Sequence, residues 1–140
     1  MIGLDTNILV RYVVRDDPVA AAQADQIMEQ RCTVDSPGYI NFIVLCEIVW
    51  VLRRGYRYDR DAIAQVVAAM LTARTLRLQE PDMVMAALEE YREKRVDLPD
   101  AMIALWNRRA GCRATLTFDR DAGRAAGFEP VPTGSPDLTN

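Results

Sequence analysis

Apolar and polar positions change their period along this chain, and the changes mark its elements. Ile2 to Leu4 is a short apolar run, read as a strand. Thr6 or Asn7 is suited to cap a helix reaching about Val14. Asp16-Asp17-Pro18 breaks that helix, and Pro18 fits the first turn of a second one, ending near Gln30. Thr33 to Asp35 reads as a second strand, closed by Ser36-Pro37-Gly38. Residues 39 to 54 read as a strongly apolar helix that stops near Gly55. A helix from Asp59 to Ala73, a strand at Leu76 to Leu78 and an amphipathic helix from Pro81 to Lys94 follow. Leu98 to Ala110 is again helical, with Gly111 ending it. Ala114 to Phe118 is a threonine-rich apolar strand, Asp119 to Ala126 a short helix ended by Gly127, and Phe128 to Val131 a last strand. Residues 133–140 form a polar tail. Short strands alternating with helices predict an α/β fold around a parallel sheet covered on both faces.

Composition narrows the class. The chain has 140 residues, half of them hydrophobic, which suits one domain over residues 1–132 with a core of its own. No basic start precedes the first apolar run, and no run approaches the ~18 residues that cross a bilayer, so a cytoplasmic protein away from membranes is expected. Cys32, Cys46 and Cys112 are odd in number and widely spaced; they match neither a zinc site nor a disulfide framework and read as buried free thiols. The net charge of -3 argues against a protein that coats nucleic acid by charge alone. There is no histidine, which removes Ser-His and Cys-His triads and histidine-ligated zinc. Gly-rich phosphate loops are absent too. Any catalysis therefore falls to carboxylates.

In open parallel sheets, ligands bind beyond the carboxyl ends of the strands. Asp5 follows I-G-L and Asp119 follows T-L-T-F, both at predicted strand ends. Each can equally be a helix cap, and Asp121 competes with Asp119 for either role. Glu47 is harder to explain as structure. Its neighbours at helical spacing are Ile43, Val44, Trp50 and Val51, so it is expected within a buried stripe, where glutamate needs a partner or a metal. The other reading puts its helix at a subunit edge, with Glu47 reaching water. In V-D-L-P-D-A-M-I-A, Asp97 and Asp100 fit a capping box, yet Asp100 leads the face carrying Ile103 and Ala104. Four carboxylates in one cleft would repel one another, and a divalent cation removes that objection. Oxygen-only ligands suit Mg²⁺ or Mn²⁺, which can activate water for attack on a phosphate.

Four stretches carry a resemblance: G-L-D-T-N-I-L-V (3–10), N-F-I-V-L-C-E-I-V-W-V-L (41–52), D-L-P-D-A-M-I-A (97–104) and T-F-D-R-D (117–121). In this order they resemble the PIN-domain ribonucleases, and among them the VapC-type toxins of toxin–antitoxin pairs. The resemblance implies a three-layer α/β/α sandwich with a central parallel sheet of four to five strands. It implies an Mg²⁺- or Mn²⁺-dependent endoribonuclease leaving a 3′-hydroxyl and a 5′-phosphate. It implies a homodimer and a small VapB-like antitoxin that joins it in a hetero-oligomer and blocks the site. By motif, Asp5, Glu47, Asp100 and Asp119 are the acidic quartet. Asp5 and Asp100 are the direct metal ligands, while Glu47 and Asp119 act through water or orient the nucleophile. Asn7 and Thr117 stand beside them, with Asp97 and Asp121 as possible substitutes. Family members often carry a serine or threonine near the start of the Glu-bearing helix; here Asn41 takes that place.

Arginines around such a site can bind RNA phosphates. Arg11 and Arg15 follow Asp5, and Arg53, Arg54 and Arg57 follow the Glu47 helix; Arg108 and Arg109 close their helix at the wrong end and read as a solvated face. Three rival readings remain at this stage. An Asp-dependent phosphatase needs a second aspartate two residues after the first, where Asn7 stands. A two-component receiver domain needs a lysine near its last strand, and the only lysine is Lys94. A PIN fold that has lost catalysis and only binds a partner would keep the same motifs.

Overall fold

The computed structural model describes residues 1–124 and 127–132; the polar tail read at 133–140 lies outside the described residues. Three parallel strands form the main sheet in the order β1 (Ile2–Gly3), β2 (Gly38–Ile40), β3 (Leu76–Leu78). Ile2 pairs with Gly38, and Gly38 with Leu76, in one continuous register. Parallel neighbours need long crossovers. Each crossover here is a pair of helices: α1 (Thr6–Val14) and α2 (Pro18–Gln30) lead to β2, and α3 (Phe42–Arg54) and α4 (Arg60–Thr72) lead to β3. After β3 come α5 (Pro81–Lys94) and α6 (Leu98–Arg109), then β4 (Thr115–Thr117), a 3₁₀ turn at Ala122–Arg124 and β5 (Phe128–Pro130).

The expectation of four to five strands in one sheet needs correction. The main sheet has three, and β4 and β5 form a separate parallel pair. The reason lies in burial. β1 offers only two residues for pairing, and β4 turns Leu116 outward, 69% exposed, so joining the main sheet would bury little.

The second strand is also displaced from its expected place. Thr33–Ser36 is a turn, not a strand: the Thr33 amide donates to the Ser36 carbonyl at 3.0 Å, and the Ser36 amide donates to Thr33 Oγ1 at 3.0 Å. The strand begins at Gly38, read as the end of a turn, and runs through residues 39–40, which read as the start of a helix. Asn41 then separates strand from helix, its Oδ1 accepting the Val44 amide at 2.9 Å.

Local signals explain the other boundaries. Asp17 caps α2 with Pro18 as its first residue, and Asp59 caps α4, accepting the Ala62 amide at 2.7 Å. α1 ends where Arg15 turns left-handed (φ 61°), and the Arg15 guanidinium clamps both carboxylate oxygens of Asp25 at 2.7 Å. The helices bury their apolar faces in one core, with Leu9, Ile40, Leu45, Ile48, Leu52 and Ile63 almost fully enclosed. A polar tie joins α4 to the end of α5. The Arg60 guanidinium donates to the carbonyls of Tyr91 and Val96 and lies 3.9 Å over the Tyr91 ring. Among the described residues, no helix is long and apolar enough to cross a membrane.

Gly38 is where the sheet and the α2 exit meet. A Cβ at this position would come within 2.7 Å of both Cys32 Sγ and Leu4 Cδ1, two buried side chains. Overfilling a packed core costs about 1–3 kcal/mol. Gly38→Ala is therefore expected to lower the urea midpoint by that equivalent with an unchanged m-value; a midpoint equal to that of the unmodified chain would show that the strand yields freely.

Candidate active site

β1 ends at Gly3, two residues before Asp5, and the backbone at Asp5 is still extended (φ -85°, ψ 158°). Asp5, not Thr6 or Asn7, is the cap of α1: its Oδ1 accepts the Thr6 amide at 2.7 Å. Leu4 is buried on one side of it and Thr6 on the other. Asp5 itself remains exposed and keeps a second carboxylate oxygen for other work.

Thr6 makes the key connection. Its hydroxyl donates to Glu47 Oε2 at 2.6 Å, across 41 residues of sequence. Thr6 is a buried polar side chain, at 9% exposure, so the donor of this short hydrogen bond is held in the core while its acceptor, Glu47, faces the surface. The helical pattern gives Thr6 no more than a capping role; its place directly after Asp5 is the one sign that it touches the site.

Glu47 is not buried, contrary to the expectation from its apolar neighbours. Ile43 and Trp50 on the same face are 67% and 63% exposed. The chain leaves this side of α3 uncovered, and Glu47 points into an open cleft with Cys46, Trp50, Val51 and Pro99. Cys46 is half-buried, and burial pushes its thiol pKa up to about 11, so it is an inert thiol beside the carboxylate. Cys32 is buried, whereas Cys112 is exposed and departs from the expectation of three buried thiols.

The other carboxylates gather where α6 begins. Asp97 occupies the cap position of α6 but makes no capping hydrogen bond; its Oδ1 instead accepts Arg53 Nη1 at 2.6 Å. Asp100 is half-buried. Loss of solvent raises its pKa first, and the nearby negative charges of Asp97 and Asp119 raise it further, partly offset by Arg53. Asp97, Asp100 and Asp121 line one cleft of about 300 Å³ with Arg53, Arg60 and Arg95. Asp119 stands at the end of β4 and caps the 3₁₀ turn, accepting the Asp121 amide at 2.8 Å; Thr117 Oγ1 in turn accepts the Asp119 amide at 3.0 Å.

The remaining candidates lie apart from these groups. Asn7 lines a different groove, between α1 and α2. Arg11 is paired with Asp16 at 3.1 Å and Arg15 with Asp25, so both cations already face acidic partners. Arg109 bonds Glu80 at 2.6 Å, away from the acidic cleft.

The donor chemistry suits a hard divalent cation: oxygen ligands, no imidazole, and an Asp100 whose crowding by like charge a cation would relieve. The arrangement is open. Among the described residues, no three acidic or thiol side chains stand close enough to hold an ion as they are. Glu47, held by Thr6, and the group of Asp97, Asp100 and Asp121 line separate clefts.

Asp100 leaves a measurable trace without any ion. Its folded-state pKa lies above the ordinary value of 3.8, so the folded chain binds the proton more tightly than the unfolded chain. The stabilising contribution is complete below about pH 3.8 and is lost as pH rises through the folded value. In EDTA, Asp100→Asn is therefore expected to raise Tm at pH 7, the gain shrinking towards pH 4. A Tm gain that stays constant down to that pH would contradict the crowding.

The family model described as "PIN domain" matches residues 2–128. The chain is also similar to a VapC ribonuclease of Aquifex aeolicus (strain VF5), 20% identical over 128 residues, which span 91% of this chain and 93% of the relative. With its strand-end carboxylates in the matched span, the chain belongs to the PIN-domain family.

Proposed function

We propose that this chain is the toxin of a toxin–antitoxin pair and acts as a divalent-metal-dependent endoribonuclease. The observation that carries the reading is the Thr6–Glu47 hydrogen bond. It ties a strand-end aspartate to a glutamate from another crossover at the sheet edge where such folds bind ligands. The family match and the VapC ribonuclease relative support it.

In this reading Asp5 and Asp100 hold Mg²⁺ or Mn²⁺, with Glu47 and Asp119 completing the quartet. When bound, the ion supplies positive charge that eases deprotonation of a water and stabilises charge on the phosphate. The chain's own residues do the rest. Thr6 fixes the Glu47 carboxylate so that its free oxygen can accept a proton from the attacking water. Asp119, held by its own cap to the turn amides, is near enough to Asp100 for its charge to be felt there. Water adds to phosphorus, the P–O3′ bond breaks, and the proton passes to the departing 3′ oxygen, leaving a 3′-hydroxyl and a 5′-phosphate. Asp97 and Asp121 border the same cleft as supporting groups.

The assembly follows the same reading. Ile43, Ile103, Trp106, Leu116 and Phe118 are exposed on α3, α6 and the end of β4, elements that touch one another. A second copy of the chain would cover such apolar side chains, giving a homodimer. A VapB-like antitoxin would complete a hetero-oligomer that blocks the cleft. We assign the domain to residues 1–132 in the α/β/α sandwich of the family, working in the cytoplasm.

Purified chain is expected to cut structured RNA with Mn²⁺ or Mg²⁺ and to stop in EDTA. Asp5→Asn and Asp100→Asn should each lose more than about a hundredfold in rate. Thr6→Val should lose about 10–100-fold, as groups behind a ligand do, while Thr6→Ser keeps most activity. Cleavage that survives EDTA or Asp5→Asn would reject the mechanism. In cells, expression of the chain should arrest growth, and co-expression of the adjoining open reading frame should relieve it; the Asp100→Asn chain should be harmless. Equal growth with and without the active chain would reject the toxin reading.

A further inference from the structure

Beside the acidic cleft lies a second cavity of about 330 Å³, at the small end of ligand pockets. Arg53, Arg60 and Asp97 line both, so the two adjoin. Its walls combine the rings of Trp50, Tyr58 and Tyr91 with the guanidinium groups of Arg53, Arg54 and Arg60 and the carboxylates of Asp59 and Asp97, the latter paired with Arg53. Trp50 is 63% exposed, a high value for so large an apolar ring. Arg60 hydrogen-bonds to backbone carbonyls and stacks on Tyr91, so it is fixed in place while its charge meets no carboxylate in those contacts. Arg54 is exposed, and no ion pair engages it among the described residues.

Aromatic faces interleaved with arginines accept one kind of ligand well. A nucleobase stacks on the ring while its phosphates meet the cations, and stacking tolerates any base sequence. The cavity's size admits a single nucleotide; a paired base, locked in a duplex, cannot enter it. We propose that this aromatic–arginine pocket is a subsite for one unpaired nucleotide of the RNA strand, next to the phosphate held over Asp100. Trp50 stacks the base and Arg54 meets the adjoining phosphate. The assignment rests on the ribonuclease reading for the identity of the strand.

Binding measured in EDTA separates the subsite from cleavage. The probe is a fluorescein-labelled, mixed-sequence 12-nucleotide RNA, alone and annealed to its complement. The full chain should bind the single strand at least about tenfold more tightly than the duplex. Trp50→Ala and Arg54→Glu should each weaken single-strand binding about tenfold, within the range of one lost stacking contact. Arg74→Glu, an equal charge reversal beyond the far end of α4, about 20 Å away by helix rise, should change it less than twofold. Unchanged affinity in Trp50→Ala, or equal affinity for the two probes, overturns the subsite. A shift of Trp50→Ala to monomer in sedimentation with unchanged affinity also overturns it, and assigns Trp50 to a subunit contact. Should Trp50→Ala weaken binding while no preparation cuts RNA with Mn²⁺, the subsite stands and the nuclease reading falls.

Discussion

Parallel pairing is the constraint from which the rest of this structure follows. In a parallel sheet every strand leaves at the same edge, and every exit here feeds a helix or a tight turn. The first amides of those helices have no partner within the helix. The chain answers at several exits with polar side chains: Asp5 for the Thr6 amide, Asn41 for the Val44 amide with Gln79 for the Phe42 amide of the same helix at 2.8 Å, and Asp119 for the turn after β4, while α5 starts without a side-chain cap. Folding alone therefore requires oxygen acceptors along one edge. Chemistry then needs only to use the oxygens that capping leaves over.

Capping and catalysis are thus one arrangement seen from two sides. An aspartate that gives one oxygen to a helix amide has its second oxygen aimed outward and its rotamer already fixed. Thr6 extends this logic to Glu47, which lacks a cap to orient it and receives a hydroxyl instead. Preorganisation of that kind is how a site holds its groups close to the productive geometry before substrate arrives.

Most of this was legible in the sequence where a single local rule decides. Asp59 before an apolar helix, Pro18 and Pro81 at helix starts, and the carboxylates after I-G-L and T-L-T-F all fell where turn and cap chemistry put them. Two errors came from the same source. Residues 39–40 read as helix because apolar pattern cannot tell a short buried strand from the first turn of an apolar helix. Glu47 read as buried because Ile43 and Trp50 are apolar, yet which face a helix turns to its own core is decided by packing with distant elements. The split of β4 and β5 from the main sheet is long-range in the same way. Thr6 was hidden for the opposite reason, since a residue with one sufficient local role gives no sign of a second one.

The shortness of the strands has a mechanical side. A three-residue strand spans only ~10 Å, so the floor beneath the acidic cleft is about as thick as a helix is wide. The Ile2 amide is tethered to the Pro37 carbonyl on the opposite rim, and Leu4 reaches Tyr39 in the next step. Asp5 is the following residue. A floor this thin has no interior in which a displacement can fade, so the turn before Gly38, though on the far side of the sheet, sets the height at which the first carboxylate stands.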